Sequence, residues 1–419
     1  MQPCDMQPHR AWAEIDLDAL THNLAIIRER AGPGTRILLV VKADAYGHGA
    51  DLIAHHALRA GIGALGVGTS EEALQLRAMG IDLPILVLGT VIETELAACL
   101  RMEIHIGLHT LDRCLQLEQL AKRLGVRAQV HLNVDTGMGR LGVPCHRAKT
   151  MLDALGKARN IDLVGLMTHV IDPAGWSPRT VEQMNGLKAV QAEVTRRGPW
   201  QGWVHAFNSA TLFTAPHLVG NTVRVGIAAL GAAAIEGAGQ QDLQPVLSLH
   251  SQVVMLKDVP VGASVGYGPD FIARRPTRVA TIPMGYADGI PFTLAGRGEA
   301  LLRGQRAAFI GRVSMDYVTL DVTEIKGVLV GDAVTLIGTN EEERITLDQV
   351  ARGAGTIPYD ISCSIGPRVV RLPRERGELL VPAQAAGPSN LRTKKLVNLT
   401  QQTPARTSST ELPLAGDVS

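Results

Sequence analysis

The sequence predicts an α/β protein: an eight-stranded parallel (β/α)8 barrel followed by a mostly β C-terminal domain. Two observations carry this. From about residue 36 to 230, short apolar runs alternate with amphipathic helical stretches, and the runs number eight. After about residue 245 the helical stretches thin out, and strand-like runs follow one another between Gly, Pro and Asp turns.

Taken in order, the expected barrel strands are Ile37–Val41, Ala64–Val67, Ile85–Leu88, Ile104–Leu108, Ala128–Val134, Leu163–Thr168, Val204–Phe207 and Thr222–Val225. Helical stretches lie between most of them. One is Ser70–Met79, opened by Thr69 and Glu72 at capping-box spacing. Eight strands alternating with helices close into a barrel. A doubly wound open sheet is the alternative, and no GxGxxG follows the first strand to favour it. In the second half the expected strands are Ser251–Leu256, Arg278–Ile282, Ala307–Ile310 and Ala333–Ile337. The organisation expected is a flexible N-terminus (1–10), a barrel domain (11–245) whose first strand can pack with the β domain, a β domain (246–381) and a disordered tail (382–419). The tail is rich in Ser, Thr, Gln, Pro and Ala without periodicity. Its Asn398-Leu-Thr sequon is read as incidental.

Composition narrows the function classes. Hydrophobic residues make up 46% and charged residues 19%, ordinary for a globular chain, and the net charge of +1 argues against nucleic-acid or membrane partners. No run of about 18 apolar residues predicts a transmembrane helix. The first residues, MQPCDMQPHRAW, lack the apolar core of a secretory signal. Cys4, Cys99, Cys114, Cys145 and Cys363 are odd in number and form no CxxC pair. Neither a disulfide framework nor a metal site is expected, and a reducing cytoplasm fits.

Chemistry in such barrels gathers at the C-terminal ends of the strands. There the sequence places Lys42 after the first strand, Asp135 and Arg140 after the fifth, and His169 after the sixth. Asn208 and Ser209 follow the seventh, and Arg224 and Gly226 close the set at the eighth. A serine hydroxyl and a glycine turn after strands seven and eight suit a phosphate. Lys42 follows the apolar run ILLVV. Alone it reads as a solvated loop lysine. Beside a phosphate site it is what a carbonyl cofactor needs for covalent attachment.

At this point the sequence resembles a known family. VVKADAYGHG (40–49) is similar to the cofactor-lysine signature of alanine racemases. The likeness continues in order through HLNVDTGMGRLG (131–142), GLMTH (165–169), HAFNSA (205–210), VRVGIA (223–228), SVGYG (264–268), PMGYADG (283–289), GRVSMD (311–316) and TIPYDISCSIGPRVVR (356–371). The resemblance implies a pyridoxal 5'-phosphate-dependent amino-acid racemase, with alanine the favoured substrate. It further implies a homodimer with shared active sites that supplies D-amino acids for peptidoglycan.

By the same resemblance Lys42 holds the cofactor and is the base for the D-isomer, and Tyr267 is the base for the L-isomer. Tyr46, Ser209, Gly226, Ile227 and Tyr359 bind the phosphate. Arg224 faces the pyridine nitrogen, and His169 links it toward the tyrosine. Arg140 and the Met315 backbone contact the substrate carboxylate, and Tyr286 lines the entry channel. Four of the five tyrosines thus fall on functional positions, and Tyr317 is left to packing. A tyrosine needs a cationic neighbour, His169 or Arg224, to act as a base near neutral pH. An arginine at the ring nitrogen cannot readily give up a proton, which implies suppression of transamination and decarboxylation.

Three features depart from the family pattern. Asn133 stands where many members carry a carbamylated lysine that braces the arginine seven residues on, so a small anion, chloride, is expected between Asn133 and Arg140. Ser314 replaces a common cysteine, and the segment Val170–Trp176 is unusual. Asparagine at the first position is similar to racemases of broader or serine-directed specificity. Other readings are a decarboxylase of basic amino acids, a pyridoxal-phosphate homeostasis protein, and a non-catalytic racemase-like homologue. The SVGYG tyrosine argues against the first, and the β domain against the second.

Overall fold

The computed structural model describes residues 9–172, 175–215, 217, 220–232 and 242–380. The expected tail and residues 1–8 of the expected flexible N-terminus lie outside them. At the end of that N-terminal stretch, Arg10 donates to Asp288 and the Pro283 carbonyl.

Eight strands form a closed, all-parallel barrel: Arg36–Val40, Ala64–Val67, Ile85–Val87, His105–Leu108, Ala128–Asp135, Ile161–Met167, Trp203–His205 and Thr222–Val225. Each pairs with the next, and Thr222–Val225 pairs back onto Arg36–Val40 to close the ring. The open-sheet alternative is thereby excluded. Parallel strands wrapped by helices are buried on both faces and read as continuous apolar runs, as Ile37 to Val41 do. The helix Ser70–Ala78 opens with the Thr69–Glu72 capping box that the spacing predicts.

Ala11–Asp16 belongs to the second sheet. It lies antiparallel to Leu247–Gln252 and parallel to Val370–Glu375. Asp16 ends this strand and caps the next helix, accepting from the Ala19 amide at 2.8 Å. The same sheet continues through Ala333–Asn340, Glu299–Leu302 and Gln305–Ala308, while Met255–Val259, Thr277–Ile282 and Val318–Asp321 form a separate three-stranded sheet. The expected strand Ser251–Leu256 is corrected here. The chain leaves the large sheet after Gln252 and enters the small one at Met255, with the Val253 amide bonded to Asp332, just before the large-sheet strand Ala333–Asn340, and the Val254 amide to Thr281 of the small sheet.

A contiguous apolar core runs through the barrel and the large sheet. A smaller cluster of Val259, Val265, Ala273, Val279 and Ile310 supports the loop that carries Tyr267. Two short helices, Leu347–Ala354 and Pro358–Ser364, interrupt the β-rich half. The second brings Tyr359 onto the barrel, where its ring meets Tyr46 edge-on at 5.7 Å. Among the described residues, no helix is long and apolar enough to cross a membrane.

Candidate active site

Lys42 leaves the first barrel strand and opens a turn of unusual hand. Ala43, Asp44, Ala45 and Tyr46 all have φ between 50° and 55°, the left-handed region, and none is glycine. Each such residue costs about 1–2 kcal/mol against a right-handed turn, so the surroundings must impose the geometry. Glu72 accepts from the Ala43 amide at 2.6 Å, and Asp44 Oδ1 from the Ala50 amide at 2.7 Å. At the far end Arg371 Nε donates to the Gly47 carbonyl at 3.1 Å. Gly47 (φ 80°) packs so closely on the Ser362 carbonyl that no Cβ fits.

The turn delivers Tyr46 beneath strands seven and eight. A Cβ on Gly226 would sit 2.5 Å from the Tyr46 hydroxyl, so only glycine allows this approach. Ser209 Oγ accepts from the Gly226 and Ala228 amides at 3.2 and 3.4 Å, and Ile227 lies buried between them. Burial is the main cause that raises the Tyr46 hydroxyl well above the ordinary tyrosine value, and it takes Tyr359 up to about 12. Both are therefore protonated donors. Two hydroxyl donors, a serine and a glycine turn make a cradle suited to an anion such as phosphate.

Arg224 is buried in the barrel and, among the described residues, no acid pairs with it. Its Nη1 donates to the His205 carbonyl (2.7 Å) and Nδ1 (2.9 Å), and its Nη2 to the carbonyls of Thr168 (2.8 Å) and Ala206 (3.1 Å). Nη2 also approaches His169 Nδ1 at 3.4 Å. Burial lowers Arg224 to about 10, which leaves it cationic at neutral pH. Burial, then the charges of Arg224, Arg140 and Lys42, push His169 down to about 3. His169 is thus a neutral link, and the expectation that it could serve as the tyrosine's cation is corrected.

Behind Arg224 the barrel interior holds a row of histidines. His205 Nε2 and His131 Nδ1 are 2.8 Å apart, and His131 Nε2 and His105 Nδ1 are 3.0 Å apart. Sequence reasoning missed this row, as it missed the clamps from Glu72 and Arg371. Its one sequence signal was a histidine in each of three barrel strands.

The fold therefore joins Lys42, Tyr46, His169, Ser209, Arg224, Gly226, Ile227 and Tyr359 at one mouth. It keeps Tyr267 and Met315 elsewhere. The loop bearing Tyr267 is held by an Arg312–Asp270 ion pair, and Tyr267 is 72% exposed. The Met315 carbonyl accepts from the Ala287 amide beside Tyr286, whose own amide donates to Ser314. Among the described residues, no hydrogen bond, ion pair or ring contact links Tyr267 or Met315 to the barrel mouth. Tyr317, expected in packing, is half-exposed beside these loops.

Asn133 Nδ2 lies 3.2 Å from His109 Nδ1, and no direct bond to Arg140 is present among the described residues. Gly142 folds back over it, where a Cβ would lie 3.2 Å from Asn133 Cγ. This brings the loop bearing Arg140 above Asn133.

Comparison with known proteins now decides the family. Residues 15–234 match "Alanine racemase, N-terminal domain" and residues 246–373 match "Alanine racemase, C-terminal domain". The chain belongs to the alanine racemase family. An alanine racemase of Citrifermentans bemidjiense is 41% identical over 367 residues, covering 85% of this chain and 97% of the relative. The structure of the Clostridium difficile 630 alanine racemase superposes with a TM-score of 0.85 at 31% identity, covering 90% of this chain and 98% of that one. The Bartonella henselae alanine racemase with covalently bound pyridoxal phosphate superposes with a TM-score of 0.79 at 28% identity, covering 88% and 100%. As a member of this family the chain is an amino-acid racemase, an isomerase, and the decarboxylase and homeostasis-protein readings fall away.

Proposed function

We propose that the protein interconverts L- and D-alanine with pyridoxal 5'-phosphate, using Lys42 and Tyr267 as bases on opposite faces of the substrate. The observation that carries this is the joining of the Lys42 turn to the anion cradle through one side chain, Tyr46, with its hydroxyl against Gly226. Tyr46, Tyr359, Ser209 and the amides at 226–228 would hold the phosphate, Lys42 the aldehyde, and Arg224 the ring nitrogen. When bound, the cofactor withdraws electrons from the substrate's α-carbon.

The protein's own part is positioning and proton traffic. Lys42 Nζ takes or returns the α-proton on the D-side, and the Tyr267 oxygen on the L-side. Arg224 is satisfied by neutral acceptors and donates without releasing its proton, which limits competing reactions at the ring nitrogen. Arg140 and the Met315 backbone hold the substrate carboxylate, and Tyr286 lines the approach.

A second copy of the chain completes the site in this reading. The separation of Tyr267 from the barrel mouth and its exposure support a homodimer with shared active sites. The protein acts in the cytoplasm and supplies D-alanine for peptidoglycan. Chloride lies between Asn133 and Arg140. The reading gains support from the charge nearby: among the described residues Arg113 Nη1 is buried without a hydrogen-bond partner, and its charge reaches His109 beside Asn133. Asn133 also favours a second reading, a broader or serine-directed racemase.

Borohydride reduction of the loaded protein and peptide mapping should place the label on Lys42. Exchange of α-protons in heavy water, across L- and D-alanine, serine, lysine and arginine, should be fastest with alanine. A label on another lysine overturns the cofactor assignment, and faster exchange with serine replaces the substrate.

A further inference from the structure

The four residues after Lys42 share a left-handed conformation that none of them favours by itself. At the edges of the left-handed turn the backbone bonds run from Ala45 N to Val41 O, from His48 N to Ala45 O and Asp44 O, and from Gly49 N to Asp44 O. None involves the Ala43 amide, which leaves the chain immediately beyond the lysine. A side chain from the neighbouring strand's helix takes that amide instead.

That side chain is Glu72. Its Oε1 accepts from Ala43 N at 2.6 Å, while its Oε2 accepts from Gly68 N at 2.8 Å and Thr69 N at 3.2 Å. The capping box of the Ser70–Ala78 helix requires only the bond to Thr69. The bonds to Ala43 and Gly68 go beyond capping, and they join the chain leaving the first barrel strand to the chain leaving the second. Gly68 neighbours both the carboxylate and the lysine's stem. A Cβ on Gly68 would be 3.5 Å from Glu72 Oε2 and 3.6 Å from Lys42 Cβ.

We propose that Glu72 is a positioning residue for Lys42. By bridging the Ala43 and Gly68 amides it holds the strained turn, and so fixes the direction in which the lysine leaves the backbone. The proposal rests on the assignment of Lys42 as cofactor lysine and D-side base. The chemistry is specific to a carboxylate, which presents two accepting oxygens to donors on both sides. Glutamine has the same size but turns one NH2 against an amide N–H, and aspartate is one methylene too short to reach both strands. A relaxed turn redirects the Cα–Cβ bond of Lys42, and a displacement of order 1 Å at a reacting group can cost about a hundredfold in rate.

The test compares Glu72→Gln with Thr69→Ala, which removes the other half of the capping box but leaves the bridge. In the cofactor-free chain, hydrogen exchange read at the Ala43 and Gly68 amides should speed up in Glu72→Gln and not in Thr69→Ala. In the loaded enzyme, Glu72→Gln should lower kcat about ten- to hundredfold with little change in KM. The primary isotope effect should rise with α-deuterated D-alanine and not with L-alanine, because the disturbed proton transfer is the lysine's. Glu72→Ala serves if the glutamine variant does not accumulate folded. Unchanged amide protection overturns the proposal. So does an equal loss in Thr69→Ala, which would reduce Glu72 to a helix cap. A borohydride label away from Lys42 would instead strike the cofactor assignment, while the amide exchange would still decide the bridge.

Discussion

Arg224 Nη1 donates to His205 Nδ1 at 2.9 Å, and because a guanidinium cannot accept, that bond fixes the tautomer of His205. The proton of His205 must then be on Nε2, pointing at His131 Nδ1. The same logic puts the His131 proton on Nε2, pointing at His105 Nδ1. A single direction of donation thus runs from the arginine through the barrel interior, and each histidine on it is neutral.

Reversing the sign at Arg224 should reverse this arrangement. Arg224→Glu places an acceptor against His205 Nδ1 and three carbonyls that now accept from the arginine. The ring nitrogen of the cofactor would then face a carboxylate that favours its protonation. We expect a new long-wavelength absorbance band on adding alanine, and more transamination relative to racemisation, read as keto-acid formed per inversion. An unchanged spectrum and product ratio would remove Arg224 from this role.

The buried histidines make the fold sensitive to acid. Burial holds His105 and His48 down to about 4 and His169 to about 3, and it lowers His131 and His205 well below the ordinary histidine value. Each regains its ordinary value near 6.5 on unfolding. Between the two values the unfolded chain binds more protons, so stability rises with pH. The contribution is full above about 6.5 and is lost progressively as pH falls toward 4 and below. Urea midpoints should fall steeply from pH 7 to 5, with uptake of roughly one proton per buried histidine on unfolding. His105→Phe should flatten the slope; an unaltered slope would point to the carboxylates instead.

The sequence exposed some of this site and hid the rest for physical reasons. Lys42, His169 and Ser209 follow strand ends and Arg224 lies one residue before one, and in a parallel barrel every C-terminal strand end points to one mouth, so order along the chain located them. His131 and His205 lie inside strands. Their partnership depends on which side chains face the interior and how strands across the barrel align, which a run of letters does not reveal. Glu72 was legible as a cap because capping is local, whereas its reach to Ala43 crosses from one βα unit to the next. Ser251–Leu256 read as one strand because Val253 and Val254 continue the apolar run at the place where the chain changes sheets.

The cradle can be tested at its tightest point. A Cβ at residue 226 would lie 2.5 Å from the Tyr46 hydroxyl and 2.8 Å from its ring, and Tyr46 is pinned against Tyr359. Gly226→Ala should therefore weaken pyridoxal phosphate binding about ten- to hundredfold, the range that overpacking of a few kcal/mol allows. Equilibrium dialysis measures it. Wild-type affinity would mean that Tyr46 moves aside freely and does not shape the cradle.

The placement of Tyr267 leads to a mixing experiment. Lys42→Ala and Tyr267→Ala chains should each be inactive alone. If each site takes its lysine from one chain and its tyrosine from another, subunit exchange restores one complete site per hybrid dimer. Activity should then recover on mixing, to about a quarter of the wild-type value for random pairing of equal amounts. No recovery despite demonstrated exchange places both bases in one chain.

The last expectation concerns the anion at Asn133. His109 Nε2 lies 3.0 Å from the Gly89 carbonyl, which can only accept, so the proton sits on Nε2 and Nδ1 is the acceptor. Asn133 therefore donates one amide hydrogen to His109 Nδ1 and keeps the other for the side on which the Arg140 loop folds over it. Arg140 is exposed and, among the described residues, no carboxylate pairs with it. Among the described residues Arg113 Nη1 has no hydrogen-bond partner and its charge bears on His109, so a compact anion would find donors and positive charge together here. Chloride fits because it accepts from several directions without imposing its own geometry. Turnover at constant ionic strength should rise and saturate as chloride replaces a bulky anion, and bicarbonate should have no effect because no lysine is present to carbamylate. Asn133→Asp should abolish the chloride response, since its carboxylate supplies the missing charge and repels a halide. Turnover indifferent to chloride, or a chloride response that survives Asn133→Asp, would falsify the anion site and leave Asn133 as the hydrogen-bond partner of His109 alone.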